Sequence, residues 1–433
     1  MQVSVEKTSE LSRKMTVSVP ETEVQEKIEA RLKSLAREVR IDGFRPGKVP
    51  PHVVKKLYGD RIRGEVTGDL IQATYYQAIQ DQDLKPAGYP HIHPSDETEG
   101  FTYTAEFEVY PEVSLLGLAG LDVQRPVAEV AESDVDAMVE KLRNQHKTWN
   151  SVERLSANGD RITISFSGSV DGENFTEGKV ENYSVEIGSR QMIPGFEDEL
   201  EGLAVGNDKT FTVTFPEEYG SAKLAGKAAE FEVHVDKVEE AVLPEIDETF
   251  IKKYGIEDGT LESFRDDVRT TMERELEQAL RGRLKNLVMD ALYANITVSV
   301  PNALIDEDVE NLMKPYKESA KRNKTQVEDM PIPRDLFEEQ ARRRVALGLI
   351  LGEIIQQNDI KVDESKVRTA IEDMSVNYER PEEVISWYYK DDKRLSDVRQ
   401  MVLEDQAVEW VMSQATVNDQ TLSFHDVMEN QQR

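Results

Sequence analysis

The chain has 433 residues, enough for about three domains at roughly 150 residues each, and 32% of them are charged against 38% hydrophobic, a balance that reads as a soluble, helix-rich protein. The formal net charge of -31 sets the molecule as a whole against nucleic acid and anionic membranes, so any contact with RNA has to come from a local basic patch. With no cysteine, disulfides, thiolate nucleophiles and cysteine metal sites are excluded, in keeping with a reducing cytosol.

The first residues, MQVSVEKTSE, lack the basic and apolar regions of a secretory signal. Gln2–Glu6 and Met15–Val19 alternate as strands do, and Val24, Ile28, Leu32, Leu35 and Val39 then recur at helical spacing. Asp42-Gly43 is expected to end that helix. A second helix is expected over about 59–82, with Ile62, Val66, Leu70 and Ala73 on one face, and Phe101, Tyr103, Ala105, Phe107 and Val109 alternate as a half-buried strand closed by Pro111. Residues 1–110 therefore read as a small α+β unit, and residues 111–149 as a connector with a polar helix near 133–148.

Over residues 150–243 the character changes. Short β-type runs at 161–167, 183–187, 210–215 and 230–238, divided by Asn158-Gly159 and Asp171-Gly172, predict an antiparallel sheet domain with little helix. From 244 to 433 the chain is helical. Leu261, Phe264, Val268, Met272, Leu276, Leu280, Leu284, Leu287 and Ala291 mark one long amphipathic helix. Pro301 restarts the chain, and further helices are expected over 337–357, 363–378 and 394–415. The most apolar stretch, 345–355, is interrupted by Glu353 and falls far short of the roughly 20 residues a membrane helix needs, so a cytoplasmic protein is expected.

Charge is distributed unevenly. Residues 27–63 carry eleven Lys/Arg (27, 31, 33, 37, 40, 45, 48, 55, 56, 61 and 63) against four Asp/Glu (29, 38, 42 and 60), a local balance of +7. At the centre lies Gly43-Phe44-Arg45-Pro46-Gly47-Lys48-Val49-Pro50, whose glycines and prolines define a tight exposed loop presenting one aromatic and two cations. That set suits docking to an anionic surface, where phosphate contacts give affinity and the aromatic packs or stacks. It is not a nucleotide-binding P-loop, because three residues rather than four separate Gly43 from Gly47 and Val49 stands where a Ser or Thr is needed. On composition alone a solvated basic helix pair accounts for it equally well.

Gly-Phe-Arg-x-Gly-Lys-x-Pro, after a first amphipathic helix and extended upstream by Val39-Arg40-Ile41-Asp42, resembles the signature loop of the trigger factor family. The resemblance implies docking at the ribosomal exit tunnel, on a ribosomal protein and nearby rRNA, through Phe44, Arg45 and Lys48. Pro46 departs from the basic residue of many relatives, which shifts weight to Lys48.

Residues 160–236 resemble the FK506-binding-protein type prolyl isomerase, with segments in family order. These are Ile164–Gly168, Asp171–Phe175, Tyr183 before Ile187-Gly188, Gln191-Met192-Ile193-Pro194-Gly195-Phe196-Glu197, Pro216–Gly220 and Glu230–Val233. The resemblance implies an apolar pocket lined by Phe166, Phe175, Tyr183, Met192, Ile193, Phe196, Tyr219 and Phe231. Each aromatic taken singly is more readily a core residue of a small β domain than a pocket residue. Thr176, followed by Glu177, stands where such pockets commonly place an acid.

The helical region offers no catalytic constellation. His91 and His93 alternate between Pro90 and Pro94 and make a weak metal claim. Methionines at 272, 289, 313, 374, 401 and 412 lie among apolar stripes, where packing is the ordinary role and adaptable binding the alternative. The trigger factor resemblance implies a helical body with arm-like projections into which the connector packs, so that the isomerase is an inserted module. It also implies contact with nascent and unfolded polypeptides, and a homodimer off the ribosome. No nucleotide, metal or organic cofactor is implied. The expected fold is multidomain α+β: a small α+β docking domain, an FKBP-like antiparallel β domain and an elongated all-α domain. Three functions fit in descending order: a ribosome-docked, ATP-independent chaperone with isomerase activity, a stand-alone isomerase or holdase, and a non-enzymatic helical scaffold. The basic loop favours the first, since a free enzyme has no need of it.

Overall fold

The computed structural model describes residues 1–39, 44, 49–95, 101–176, 178–221, 223–322, 333–376 and 378–429. It divides into two units, Met1–Pro126 with Arg281–Gln420, and Val127–Leu280 with Thr421–Arg433.

In the first unit, β1 (Gln2–Lys7) and β2 (Ser12–Val19) precede two helices, α1 (Glu21–Glu38) and α2 (Pro51–Asp81), and then β3 (Pro86–Ser95) and β4 (Phe101–Val109). The four strands form an antiparallel sheet in the order β1-β2-β4-β3. The apolar stripe of α1, with Val24, Ile28 and Leu32 buried, meets Met15, Val17, Tyr103 and Phe107 of the sheet in one core. Helix α1 stops at Glu38, and the expected stop at Asp42-Gly43 lies outside the described residues. Helix α2 begins eight residues before its expected start, because Pro50-Pro51 suits the cap and first turn, where no N–H is required. Ala73, expected on the buried face of α2, is exposed; the i+4 stripe of Ile62, Val66 and Leu70 continues to Thr74 instead. The Thr74 hydroxyl bonds the Leu70 carbonyl at 2.6 Å and the Tyr103 hydroxyl at 2.9 Å, so its burial leaves no polar atom unpaired. His91 and His93 stand on β3 opposite Glu106 and Thr104, and no group of three or more potential metal ligands forms among the described residues.

Residues 111–126 join this unit. A 3-10 turn at Leu115–Leu118 leads to β5 (Asp122–Val127). Val113, Leu118, Leu121 and Val123 share a core with Val288, Leu292, Ile350, Ile354, Val408 and Val411. Glu108 also accepts from the Ala303 N–H at 3.0 Å and from Asn302 at 3.1 Å, a carboxylate placed at the positive end of a helix.

The second unit starts with α3 (Glu132–Gln145). The sheet domain follows: β6 (Thr148–Ser151), β7 (Arg161–Val170), β8 (Glu173–Asn174), β9 (Val180–Glu186), β10 (Asp208–Thr214) and β11 (Ala228–Val242). Its order is β10-β11-β7-β8, with β6 on β11 and β9 on β7, all antiparallel. Asp171 and Gly172 both take positive φ, the geometry of the tight turns that favour Asp-Gly.

Helices then take over: α4 (Glu248–Lys252), α5 (Leu261–Asn295), α6 (Asn302–Arg322), α7 (Asp335–Gln357), α8 (Glu364–Ser375), α9 (Pro381–Tyr389) and α10 (Asp392–Gln414). A last strand, β12 (Thr416–Thr421), pairs with β5, and α11 (Phe424–Glu429) ends the described chain. Within the second unit Val135 and Val139 of α3 pack on Phe250, Phe264 and Met272. Within the first, α8 and α10 close around Val367, Ile371, Val398 and Val402. The molecule is multidomain α+β. Among the described residues no helix is long and apolar enough to cross a membrane.

Candidate functional site

The antiparallel register gathers an aromatic cluster on one face of the sheet domain. Phe211 of β10, Phe231 of β11 and Gly168 of β7 lie side by side across three strands. Gly168 leaves the space that Phe175 fills: a Cβ at 168 would stand 2.4 Å from the Phe175 ring and 3.1 Å from that of Phe231. The Phe175 N–H bonds the Gly168 carbonyl at 3.0 Å, which fixes the ring above the gap.

Phe166, one position earlier on the same face of β7, lies 6.1 Å from Phe231, 6.2 Å from Phe196 and 5.6 Å from Tyr183 between ring centres. Phe196 is fully buried and meets Phe231 edge-on at 5.0 Å. Such perpendicular pairs set ring edges against ring faces and resist collapse of the pocket wall. Met192 and Ile193 are half-buried and pack on the same core. The Tyr183 hydroxyl donates to the Met192 sulfur at 3.7 Å. Tyr219, 41% exposed, reaches the cluster through Phe215, whose ring lies 4.6 Å from it and 5.7 Å from Phe175. The eight residues expected to line a pocket thus belong to one apolar cluster, with Tyr183 and Tyr219 its most exposed members. Phe211 and Phe215 complete it; the alternation Phe211, Val213, Phe215 along β10 and the residue after it is the sequence signal that would have found them.

The Thr176 hydroxyl accepts from the Gly168 N–H at 3.1 Å and donates to Asn174 at 2.7 Å, so it ties the turn to β7. Glu177 lies outside the described residues.

Glu197 organises the floor. Its buried carboxylate accepts from the N–H groups of Arg190, Gln191 and Met192 at 2.9, 2.9 and 3.0 Å, and from the Ser189 hydroxyl at 3.1 Å. These bonds hold Arg190 at a positive φ of 57°, a conformation few side chains adopt unaided. Burial pushes the Glu197 carboxyl up, but the bonds from Met192, Arg190, Ser189 and Gly188 outweigh it and hold the group below the usual carboxylate range. Asp160 behaves alike, burial opposed by Arg154 at 2.6 Å and the Ala157 N–H. So does Glu239, opposed by Lys237 and Arg161.

A carboxyl whose pKa is lower folded than unfolded stabilises the fold above its unfolded value, and that stabilisation disappears as pH falls through the folded value. The sheet domain is therefore expected to lose stability as the pH is lowered from about 4.3, the ordinary Glu value, downward. Urea melts of the domain over that range check it, and Glu197→Gln should flatten the dependence.

In the first unit Phe44 is 39% exposed between α1 and α2. Arg45, Pro46 and Lys48 lie outside the described residues. Lys33, Arg37, Lys55, Lys56, Arg61 and Arg63 are exposed, and none of these six has an ion pair among the described residues, whereas Arg31 pairs with Glu65.

A third feature lies around α8 and α9. An open groove of about 640 Å³ is lined by Met374, Tyr378, Val384, Trp387 and Tyr388, with Glu379, Arg380 and Glu383 at its edge. Tyr378 and Trp387 are 60% and 51% exposed, unusual for large apolar side chains so close together. The Arg394 guanidinium lies 3.7 Å from the centre of the Trp387 ring and donates to the Trp387 carbonyl at 3.0 Å, which steadies that wall.

Residues 1–142 match the model of the bacterial trigger factor protein, 153–236 that of the FKBP-type peptidyl-prolyl cis-trans isomerase, and 260–413 that of the bacterial trigger factor C-terminus. Trigger factors of Pseudomonas putida (strain GB-1) and Ectopseudomonas mendocina (strain ymp) are each 45% identical over 430 residues, covering 99% of this chain and 98% of the relative. That of Pseudomonas syringae pv. syringae (strain B728a) is 44% identical over the same span. A solved structure, described as "Promiscuous Substrate Recognition in Folding and Assembly Activities of the Trigger Factor Chaperone", shares the fold with a TM-score of 0.51 at 17% identity, covering 95% of this chain and 99% of that one. Near-complete coverage at that identity in the curated relatives settles the matter: the chain belongs to the trigger factor family.

Proposed function

We infer that the chain is a ribosome-associated, ATP-independent chaperone for newly made polypeptides that also isomerises X-Pro peptide bonds. The observation that carries the enzymatic half is the aromatic pocket whose floor Glu197 fixes. Rotation about an amide meets a barrier of about 18–20 kcal/mol because resonance is lost. X-Pro bonds are the practical substrates, since their two forms differ by only about 0.5–1 kcal/mol. No nucleophile is needed. A water-excluding apolar pocket disfavours the charge-separated planar amide and favours the twisted one, which is tighter binding of the transition state than of the ground state.

Phe166, Phe175, Met192, Ile193, Phe196 and Phe231 are assigned to the walls and floor that enclose the proline ring, and Tyr183 and Tyr219 to the rim. A proline-containing peptide assay of the full chain tests this. Catalysis that falls about a hundredfold in Phe166→Ala, equivalent to roughly 2.7 kcal/mol of lost transition-state binding, supports it. An inactive but folded parent chain contradicts it.

Phe44, Arg45 and Lys48 are assigned to docking, with the exposed cations of α1 and α2 supplying long-range attraction to the rRNA. The groove at Met374, Tyr378, Val384 and Trp387 is assigned to unfolded clients: it offers aromatic and thioether contacts without a fixed shape, the chemistry of promiscuous recognition. A Tyr378→Ser, Trp387→Ser double variant is expected to retain isomerase activity while protecting an aggregating client several-fold less well. Undiminished protection would remove the groove from the account. Residues 1–110 are the docking domain, 150–243 the isomerase, and 244–433 with the 111–149 connector the client-binding body. A ribosome-associated chaperone of this kind works in the cytoplasm. Off the ribosome the protein is proposed to form a homodimer, a reading supported by the basic face at 27–63 on an otherwise acidic chain.

A further inference from the structure

The sequence has twelve methionines and no cysteine. A two-electron oxidant that attacks protein sulfur therefore finds only thioethers here. The methionines differ in access: Met15 and Met272 are fully buried in cores, whereas Met192 is half-buried at the edge of the sheet-domain aromatic cluster. Beside it Tyr183 is 41% exposed, with its hydroxyl 3.7 Å from the Met192 sulfur. The backbone of Met192 is held by its N–H bond to Glu197 at 3.0 Å. Met192 thus keeps part of its surface in solvent, with its sulfur beside a partly exposed tyrosine and its backbone anchored at the cluster assigned to the substrate proline.

We propose that Met192 is an oxidation site through which a peroxide shuts the isomerase pocket. The proposal rests on the reading of that pocket as the isomerase site. In the step itself a lone pair of the Met192 sulfur attacks one peroxide oxygen. An S–O bond forms and the O–O bond breaks. Sulfur is oxidised by two electrons, the peroxide is reduced, and the departing hydroxide takes a proton to leave water.

The product changes the pocket in two ways. A flexible apolar side chain becomes a polar, chiral one whose oxygen is a far stronger acceptor than the thioether. That oxygen enters the space facing the Tyr183 hydroxyl, where it recruits a hydrogen bond across the mouth of the pocket. It also holds water where the twisted amide requires a dry surface, and a polar group buried without full partners opposes closure on the substrate. The modification is reversible by the reductase class that acts on methionine sulfoxide, so it acts as a switch.

The test treats the full-length chain with hydrogen peroxide, maps sulfoxide at each methionine by peptide mass, and follows the isomerase rate on a proline tetrapeptide. Each protein is compared with its own untreated rate. Met192 is expected to oxidise ahead of Met15 and Met272, and the rate to fall about tenfold in step with Met192 sulfoxide. Methionine sulfoxide reductase should restore it, and Met192→Leu should keep its own untreated rate through the same treatment. The proposal is overturned if Met192 stays unmodified while the buried methionines react, if its sulfoxide forms without loss of rate, or if Met192→Leu loses as much. A folded chain with no isomerase activity before treatment would overturn the pocket assignment itself, and this proposal with it.

Discussion

Replacing Phe196 with alanine is expected to destabilise the isomerase domain by about 3–5 kcal/mol, the usual cost of emptying a buried phenylalanine site. Phe196 is 0% exposed and touches Phe166, Phe211 and Phe231, with centroid distances of 6.2, 5.3 and 5.0 Å. The site cannot collapse easily, because each of these rings comes from a different strand and is fixed by the sheet register. Catalysis should vanish with the fold of this domain, while the helical core around Val288, Leu292, Ile350 and Val408 keeps its own transition. Two thermal transitions in the parent chain, of which only one shifts in the variant, would be the calorimetric signature. Phe196→Leu preserves most of the volume and should cost about half as much or less. Equal loss in both variants would mean that aromatic edge-to-face contact, rather than volume, holds the pocket.

Much of this architecture can be read directly from the residues. Alternation fixes β4 from Phe101 to Val109, and the stripe from Leu261 to Ala291 fixes α5. Such signals are strong because one face of each element is buried over much of its length, from Phe101 to Val109 in β4 and at Phe264, Val268, Met272 and Leu276 in α5. The elements that escaped sequence reading have the opposite character. Strand β3 contains Pro86, Pro90 and Pro94 and shows no clear strand alternation; it forms at the edge of its sheet, where a missing N–H costs nothing. Strand β12, Thr-Val-Asn-Asp-Gln-Thr, has almost no apolar residue and exists by pairing with β5 across nearly three hundred positions of sequence. Helix α9 is short and has no fully buried residue, so its periodicity is weak. The grouping of these aromatics was expected only through the resemblance to the FK506-binding-protein type isomerase, not from their spacing, and Phe215 joins Tyr219 to Phe175 only in three dimensions. The organising role of Glu197 was equally hidden, since three backbone N–H groups leave no trace in a sequence.

Loss of ribosome binding on changing the loop between α1 and α2 is the second large effect expected. Phe44 is exposed at that loop, and the two flanking helices carry six exposed cations with no ion pair among the described residues. Against a net charge of -31, only such a patch can bring the molecule to RNA. Phosphate contacts make binding fall steeply with salt, and removing two cations should lower the slope of log affinity against log salt by about 2. Removing the aromatic should weaken binding at every salt concentration without changing the slope.

The most direct test of the whole account is co-sedimentation with ribosomes over a series of salt concentrations, comparing the parent chain with a Phe44→Ala, Arg45→Ala, Lys48→Ala variant. Salt-sensitive binding by the parent, lost in a variant that still isomerises a proline peptide at the parental rate, is the predicted result. A parent chain that does not sediment with ribosomes at any salt concentration would contradict the account and leave a free isomerase joined to a helical client-binding body.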